Sequence, residues 1–156
     1  MKLFEVTANG AEKKLVTSLE KTVASVFVFY FKAHTFHWNV EGKQFAEYHK
    51  MFGDICDDVY ESVDSFAEQL RALDAPAPRS LAQLLKLASV KETDDNLGVE
   101  QMVQTLLNDN EQVIKAMNET LELAAEQDKQ GLMNFLAGRI EQHAKWSWFL
   151  RASTKD

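Results

Sequence analysis

The chain has 156 residues, 46% of them hydrophobic, and a formal net charge of −7. A chain of this length makes one domain, residues 1–156, and can bury roughly two thirds of its unfolded surface. That composition excludes a disordered chain, and the negative balance excludes a surface that attracts nucleic acid on average.

Six Gly and two Pro are few punctuation marks for a β-rich fold. Cys56 is the only cysteine, so no intrachain disulfide can form. A lone thiol fits a reducing, cytoplasmic setting. Residues 23–31 are the greasiest stretch, but Lys32 and His34 interrupt it, short of the ~20 apolar residues that span a bilayer. The segment Met1-Lys2-Leu3-Phe4-Glu5 lacks a secretory pattern, and no membrane partner is expected.

The first helix is expected over residues 9–40. Leu15, Leu19, Val23, Val26, Phe27 and Tyr30 recur at helical spacing, Asn9-Gly10 marks the start and Gly42 the stop. The second is expected over 45–73, with Phe45, Phe52, Cys56, Val59, Val63, Phe66, Leu70 and Leu73 as its apolar set. Pro76 and Pro78 end it, because each disfavours helix in the residue before it. A short amphipathic helix follows over 81–87, with Ser80 as its N-cap. The third and fourth long helices are expected over 99–126 and 130–152. The short link at 128–131 makes them antiparallel neighbours. The connection between the second and third long helices can cross the bundle end to end. The fold class is therefore all-α, a ferritin-like four-helix bundle with one long crossover carrying a short helix.

The segment His34-Thr35-Phe36-His37-Trp38-Asn39-Val40-Glu41-Gly42, followed by His49, Asp64 and Glu68, carries the chemistry. Imidazole mixed with carboxylate suits iron or zinc, whereas calcium prefers all-oxygen sites. On a helical wheel Gly53, Asp54, Asp57, Glu61, Asp64 and Glu68 share one acidic face of the second helix. His49 sits at the seam between that face and the core. An acidic stripe is also what a solvated helix face looks like, although like charges four apart repel. His34 and His37 share a face near the end of the first helix, a place the helix dipole also favours for histidine. His37 can approach His49 only if the first two helices pack as a hairpin. None of the four histidines has Glu three residues before it, so the usual di-iron site inside one bundle is not built here.

His37-Trp38-Asn39-Val40-Glu41-Gly42-x-x-Phe45-x-x-x-His49, continued by Asp64-x-x-x-Glu68, closely resembles the Dps mini-ferritins. The four-helix pattern and Phe149-Leu150-Arg151-Ala152 after Trp148 extend the likeness over nearly the whole chain. The resemblance implies a hollow homo-dodecamer with ferroxidase centres at twofold interfaces. His37 and His49 would come from one subunit, and Asp64 and Glu68 from its mate. Trp38 would stand beside the centre. It further implies oxidation of Fe2+ to Fe3+, usually by hydrogen peroxide, storage of the mineral, and protection against oxidative stress.

Three departures qualify it. The family usually has Asp or Glu four residues after the second histidine, where this chain has Gly53. One metal position thus loses a carboxylate, with Asp57 or His34 as substitutes and zinc as a competing metal. Restoring the carboxylate with Gly53→Asp is expected to strengthen it and raise the oxidation rate, unless Asp57 or His34 already fills the gap. Near the threefold pore, one acidic position is Asn134, leaving Glu126, Asp128 and Glu141 as candidate linings. The termini lack the Lys/Arg-rich tail that drives DNA binding, so DNA binding is expected to be weak. The alternatives are a non-ferroxidase shell binding zinc or structural metal, and a DNA-protecting nucleoid protein.

His143 reads as a packing or surface histidine rather than a ligand. Trp146 and Trp148 point to different helix faces, one core and one interface. Cys56 reads as a buried structural thiol.

Overall fold

The structure, a computed structural model, describes residues 10–155; Lys2, Asn9 and Asp156 lie outside them. Five helices account for most of these residues: α1 Gly10–Asn39, α2 Phe45–Ala72, α3 Leu81–Leu87, α4 Val99–Glu126 and α5 Gln130–Ala152. The fold is all-helical over the described residues. α1 and α2 form one hairpin, α4 and α5 the other, and α1 packs against α2, α3 and α4.

Local chemistry sets the boundaries. Gly42, at φ 124°, takes the backbone around the first turn in a conformation that side chains rarely adopt. The ends of α2 and α4 use an aspartate instead of glycine. Asp74 (φ 59°) and Asp128 (φ 53°) are left-handed. At the first, Ala75 N–H donates to the Leu70 carbonyl and Asp74 N–H to Arg71. At the second, Lys129 donates to Ala124 and Asp128 to Ala125. These are Schellman pairs, which satisfy carbonyls a helix end leaves orphaned. Ser80 caps α3, its Oγ accepting from Gln83 N–H at 3.1 Å.

The core runs the length of the bundle, with Phe29, Phe52, Phe66, Leu19, Leu106, Met117 and Leu136 fully buried. Each such side chain contributes about 1.5–3 kcal/mol of hydrophobic stabilisation. Hydroxyls lock α1 to α4: Thr120 Oγ1 lies 2.7 Å from Ser18 Oγ and 2.9 Å from Thr22 Oγ1. Ser89 N–H donates to Ser25 Oγ at 2.9 Å and fastens the crossover to α1. A further α1–α4 tie is the ion pair between Lys32 Nζ and Asp109 Oδ2 at 2.5 Å, whose lysine is buried. Burial pushes the Asp109 carboxyl up, against the opposing pull of Lys32.

Two sequence expectations need correction or completion. Phe45, assigned to the apolar core set, is 44% exposed. It opens α2, and its ring lies against His49 with centroids 5.0 Å apart. Trp146 is the core tryptophan and Trp148 the exposed one, at 59%. Cys56 is buried, and desolvation first, then Asp57, pushes its thiol up to about 11.

Candidate metal centre

The α1–α2 hairpin brings the end of α1 against the first turns of α2 and stacks His37 on His49. Their ring centroids are 3.8 Å apart and their planes 17° from parallel. His37 Nδ1 lies 2.6 Å from the His49 carbonyl, and His49 Nδ1 lies 2.7 Å from the His37 carbonyl. A carbonyl only accepts, so each Nδ1 carries the proton and donates. The His37 carbonyl is one of those the end of α1 leaves without a helical partner, so His49 caps that helix. The tautomers are thereby fixed with Nε2 bare on both rings. A histidine held through Nδ1–H by a backbone carbonyl is oriented as metal-binding histidines commonly are.

The other candidates sit at different distances from this pair. His34 lies one turn before His37, ring centroids 6.1 Å apart, with its Nδ1 3.2 Å from the Tyr30 hydroxyl. Trp38 is 57% exposed and its ring lies against His34, centroids 4.3 Å apart and planes tilted by 40°, not against the pair itself. Asp57, Asp64 and Glu68 are exposed on α2. Lys50 neutralises only Asp54, at 2.6 Å, while Arg71 donates to the Ala75 carbonyl. Among the described residues no three His, Cys, Asp or Glu side chains gather to hold one ion. His34 and Asp57 are accordingly not gathered with His37 and His49 into such a group within one chain. Two imidazole nitrogens are half of the four ligands zinc takes, so the pair is a candidate half-site.

The half-site adjoins exposed apolar surface. Phe45 lies against His49, and Trp38 meets Phe31 edge-on at 6.4 Å. Phe31 in turn borders a groove of about 440 Å³ lined by Phe27, Tyr30, Tyr60, Leu81, Leu84 and Leu85. Phe31, Trp38, Phe45, Tyr60, Leu81 and Leu85 are each at least 42% exposed. Contiguous apolar surface of this kind marks an interaction site more often than a free face.

Residues 16–156 match the model of the ferritin-like domain family. General stress protein 20U of Bacillus subtilis is 31% identical over 90% of this chain and 97% of its own length. DNA protection during starvation protein 2 of Bacillus anthracis is 28% identical over 90% and 96%. The crystal structure of Dps from Vibrio cholerae O1 superposes with a TM-score of 0.88 at 30% identity, covering 93% of this chain and 91% of that one. Dps from Thermosynechococcus elongatus gives 0.91 at 26% identity, over 94% and 93%. The chain belongs to the ferritin-like family, in its Dps branch. The Vibrio Dps is a member of a broad superfamily of ferritin-like diiron-carboxylate proteins.

In this Dps chain Gly53 is more than a lost ligand. A Cβ built there would stand 2.9 Å from both Cε1 and Nδ1 of His37. A side chain introduced at 53, that of Gly53→Asp included, therefore meets the His37 imidazole, and one of the two must shift.

A second polar cluster, invisible in the sequence, joins α2, α4 and α5 in the interior. Arg139 grips both oxygens of Asp58 at 3.0 and 2.9 Å, and Trp146 Nε1–H donates to Asp58 at 2.7 Å. Burial pushes the Asp58 carboxyl up, but these hydrogen bonds and the Arg139 charge outweigh it and leave it below its ordinary value. His143 is fully buried, its Nδ1–H donating to Asn110 Oδ1 at 2.7 Å while Arg139 Nη2 lies 3.3 Å from its Nε2. Burial first, then the Arg139 charge, holds its pKa down at about 3, so it is neutral. It is a packing histidine. Among the described residues, Arg139 Nε is the buried side-chain atom left without a partner. Nothing local announces the Asp58–Arg139 pair, whose members are 81 residues apart. The pore candidates Glu126, Asp128, Asn134 and Glu141 are all exposed.

Proposed function

We propose that this Dps-family chain is a mini-ferritin that oxidises Fe(II), with hydrogen peroxide as oxidant, and stores the ferric mineral inside a dodecameric shell in the cytoplasm. His37 and His49 bind Fe(II) through Nε2. Asp64 and Glu68 of the partner subunit complete the coordination across a twofold interface, and Trp38 lies beside the centre. Peroxide takes two electrons, one from each of two Fe(II) ions, and its O–O bond breaks to give water or hydroxide. Iron and peroxide are consumed together, which protects the cell against oxidative stress.

One observation carries this reading. The two bare Nε2 atoms belong to a half-site flanked by exposed apolar side chains, Phe45 on one side and Trp38 with Phe31 on the other. A second copy docking there would bury those side chains. It would also supply carboxylates, since Asp64 and Glu68 form no hydrogen bond or ion pair of their own among the described residues. Homo-oligomers with closed symmetry are the usual outcome of such self-complementary surfaces.

Light scattering should give a particle near twelve times 17.7 kDa. Anaerobic calorimetry with Fe(II), then peroxide, should show that His37→Ala and His49→Ala each abolish tight binding and turnover while keeping the helical circular dichroism. A stable monomer, or wild-type turnover in the double variant, would sink the proposal. A second reading, a shell that binds zinc without ferroxidase activity, is favoured by Gly53, which supplies no carboxylate. Zn(II) binding with no peroxide-driven oxidation would select it. A DNA-protecting role is opposed by the net charge of −7.

A further inference from the structure

The contact between Gly53 and His37 has a structural cause in the helix backbone. In a regular helix the His49 carbonyl is the acceptor for the N–H four residues on, that of Gly53. That same carbonyl also accepts from His37 Nδ1 at 2.6 Å. The imidazole therefore lies directly over position 53, and a Cβ there would come within 2.9 Å of Nδ1 and Cε1. Ordinary contacts at that separation do not occur, so one group must move. The ring has little freedom to do so, since it is also stacked on His49 at 3.8 Å.

We infer that Gly53 is a positioning residue: its missing side chain is the seat of the His37 ring, and that seating fixes which nitrogen the ring offers to a metal. Any side chain at 53 unseats His37, breaks its hydrogen bond to the His49 carbonyl and frees its tautomer. The half-site in one chain thus keeps both imidazoles and has no carboxylate at position 53. The half-site is therefore nitrogen-rich, and nitrogen donors favour zinc over iron more than carboxylates do. The metal consequence rests on the function proposed above; the seating of His37 does not.

Three measurements on the assembled full-length protein test this. A crystal structure of Gly53→Ala should show the His37 ring turned away and its Nδ1 no longer within hydrogen-bond distance of the His49 carbonyl. Zn(II) calorimetry on that variant should show affinity down by about ten- to a hundredfold, the usual loss when a ligand's supporting hydrogen bond is removed. Gly53→Asp should bind no tighter than the wild type. Thermal melts should show coupling: Gly53→Ala lowers the melting temperature with His37 present and raises it in a His37→Ala background, where only the gain in helix propensity remains. An unmoved His37 ring with wild-type Zn(II) affinity in Gly53→Ala, tighter binding by Gly53→Asp, or an equal rise in melting temperature in both backgrounds would each overturn the inference. Failure of the proposed centre reads differently. In that case His37→Ala and His49→Ala leave Zn(II) affinity unchanged, while the crystal structure and the melts still decide the seating.

Discussion

Both ring nitrogens of His143 are engaged inside the bundle, whereas His37 and His49 each keep one bare. The surroundings differ in the same way. Asp58 takes three hydrogen bonds from Arg139 and Trp146, while Asp64 and Glu68 stand exposed on the same helix. Imidazole and carboxylate are thus structural where the fold satisfies them and available where it does not. Residue type alone does not separate the two, since α2 carries both kinds within three turns.

The largest expected effect comes from opening the closed cluster. Asp58→Ala leaves the Arg139 guanidinium unpaired at 15% side-chain exposure. Removing one partner of a buried pair costs about 3–5 kcal/mol. Urea unfolding should show that loss, and an unchanged midpoint would mean that the cluster is not holding α2 to α5.

A smaller effect comes from pH. The native pKa of His143 lies at about 3, below the ordinary 6.5. Between those values the unfolded chain takes up a proton that the native chain refuses. Stability is therefore flat above pH 6.5 and falls as pH drops toward 3, by up to about 1.4 kcal/mol per pH unit for each subunit. Asp58, held below its ordinary 3.8, acts in the same direction lower down, its contribution disappearing as pH falls through its native pKa. His143→Gln should flatten the slope between pH 6.5 and 4 in urea titrations. A slope that persists in that variant would belong to other groups.

How much of this was legible in the sequence follows from the range of each interaction. The three later helices, 81–87, 99–126 and 130–152, match the expected bounds residue for residue, and the first two differ by one residue at the ends. Helical period and caps such as Ser80 are local signals, so they survive in one dimension. The end of α2 was legible from Pro76 and Pro78, but the left-handed backbone at Asp74 was not, because aspartate stands where glycine would have announced it. The His37–His49 stack could be named only on condition of a hairpin. The Gly53 seat and the Asp58–Arg139 pair could not be read at all, because each depends on where one helix lies against another. Phe45 shows the opposite failure: the wheel assigned it to the apolar set, but nothing in the period says that its ring stays exposed beside His49.

The smallest effect on the fold comes from the open stripe, and it sharpens the contrast most. Asp64 and Glu68 lie one above the other, four residues apart, with no cation paired to either among the described residues. Like charges so placed destabilise a helix by roughly 0.2–0.5 kcal/mol. Asp64→Asn or Glu68→Gln should then leave urea stability unchanged or raise it by about that amount. A structural carboxylate would behave in the reverse way, as Asp58 should. In the function proposed above these carboxylates act outside their own helix. The same two variants should therefore lose Fe(II) binding in anaerobic calorimetry while the particle size stays the same. A loss of stability on neutralising either residue would move it into the structural class with Asp58. Retained Fe(II) affinity in both would leave the stripe as a solvated face and the half-site without its carboxylates.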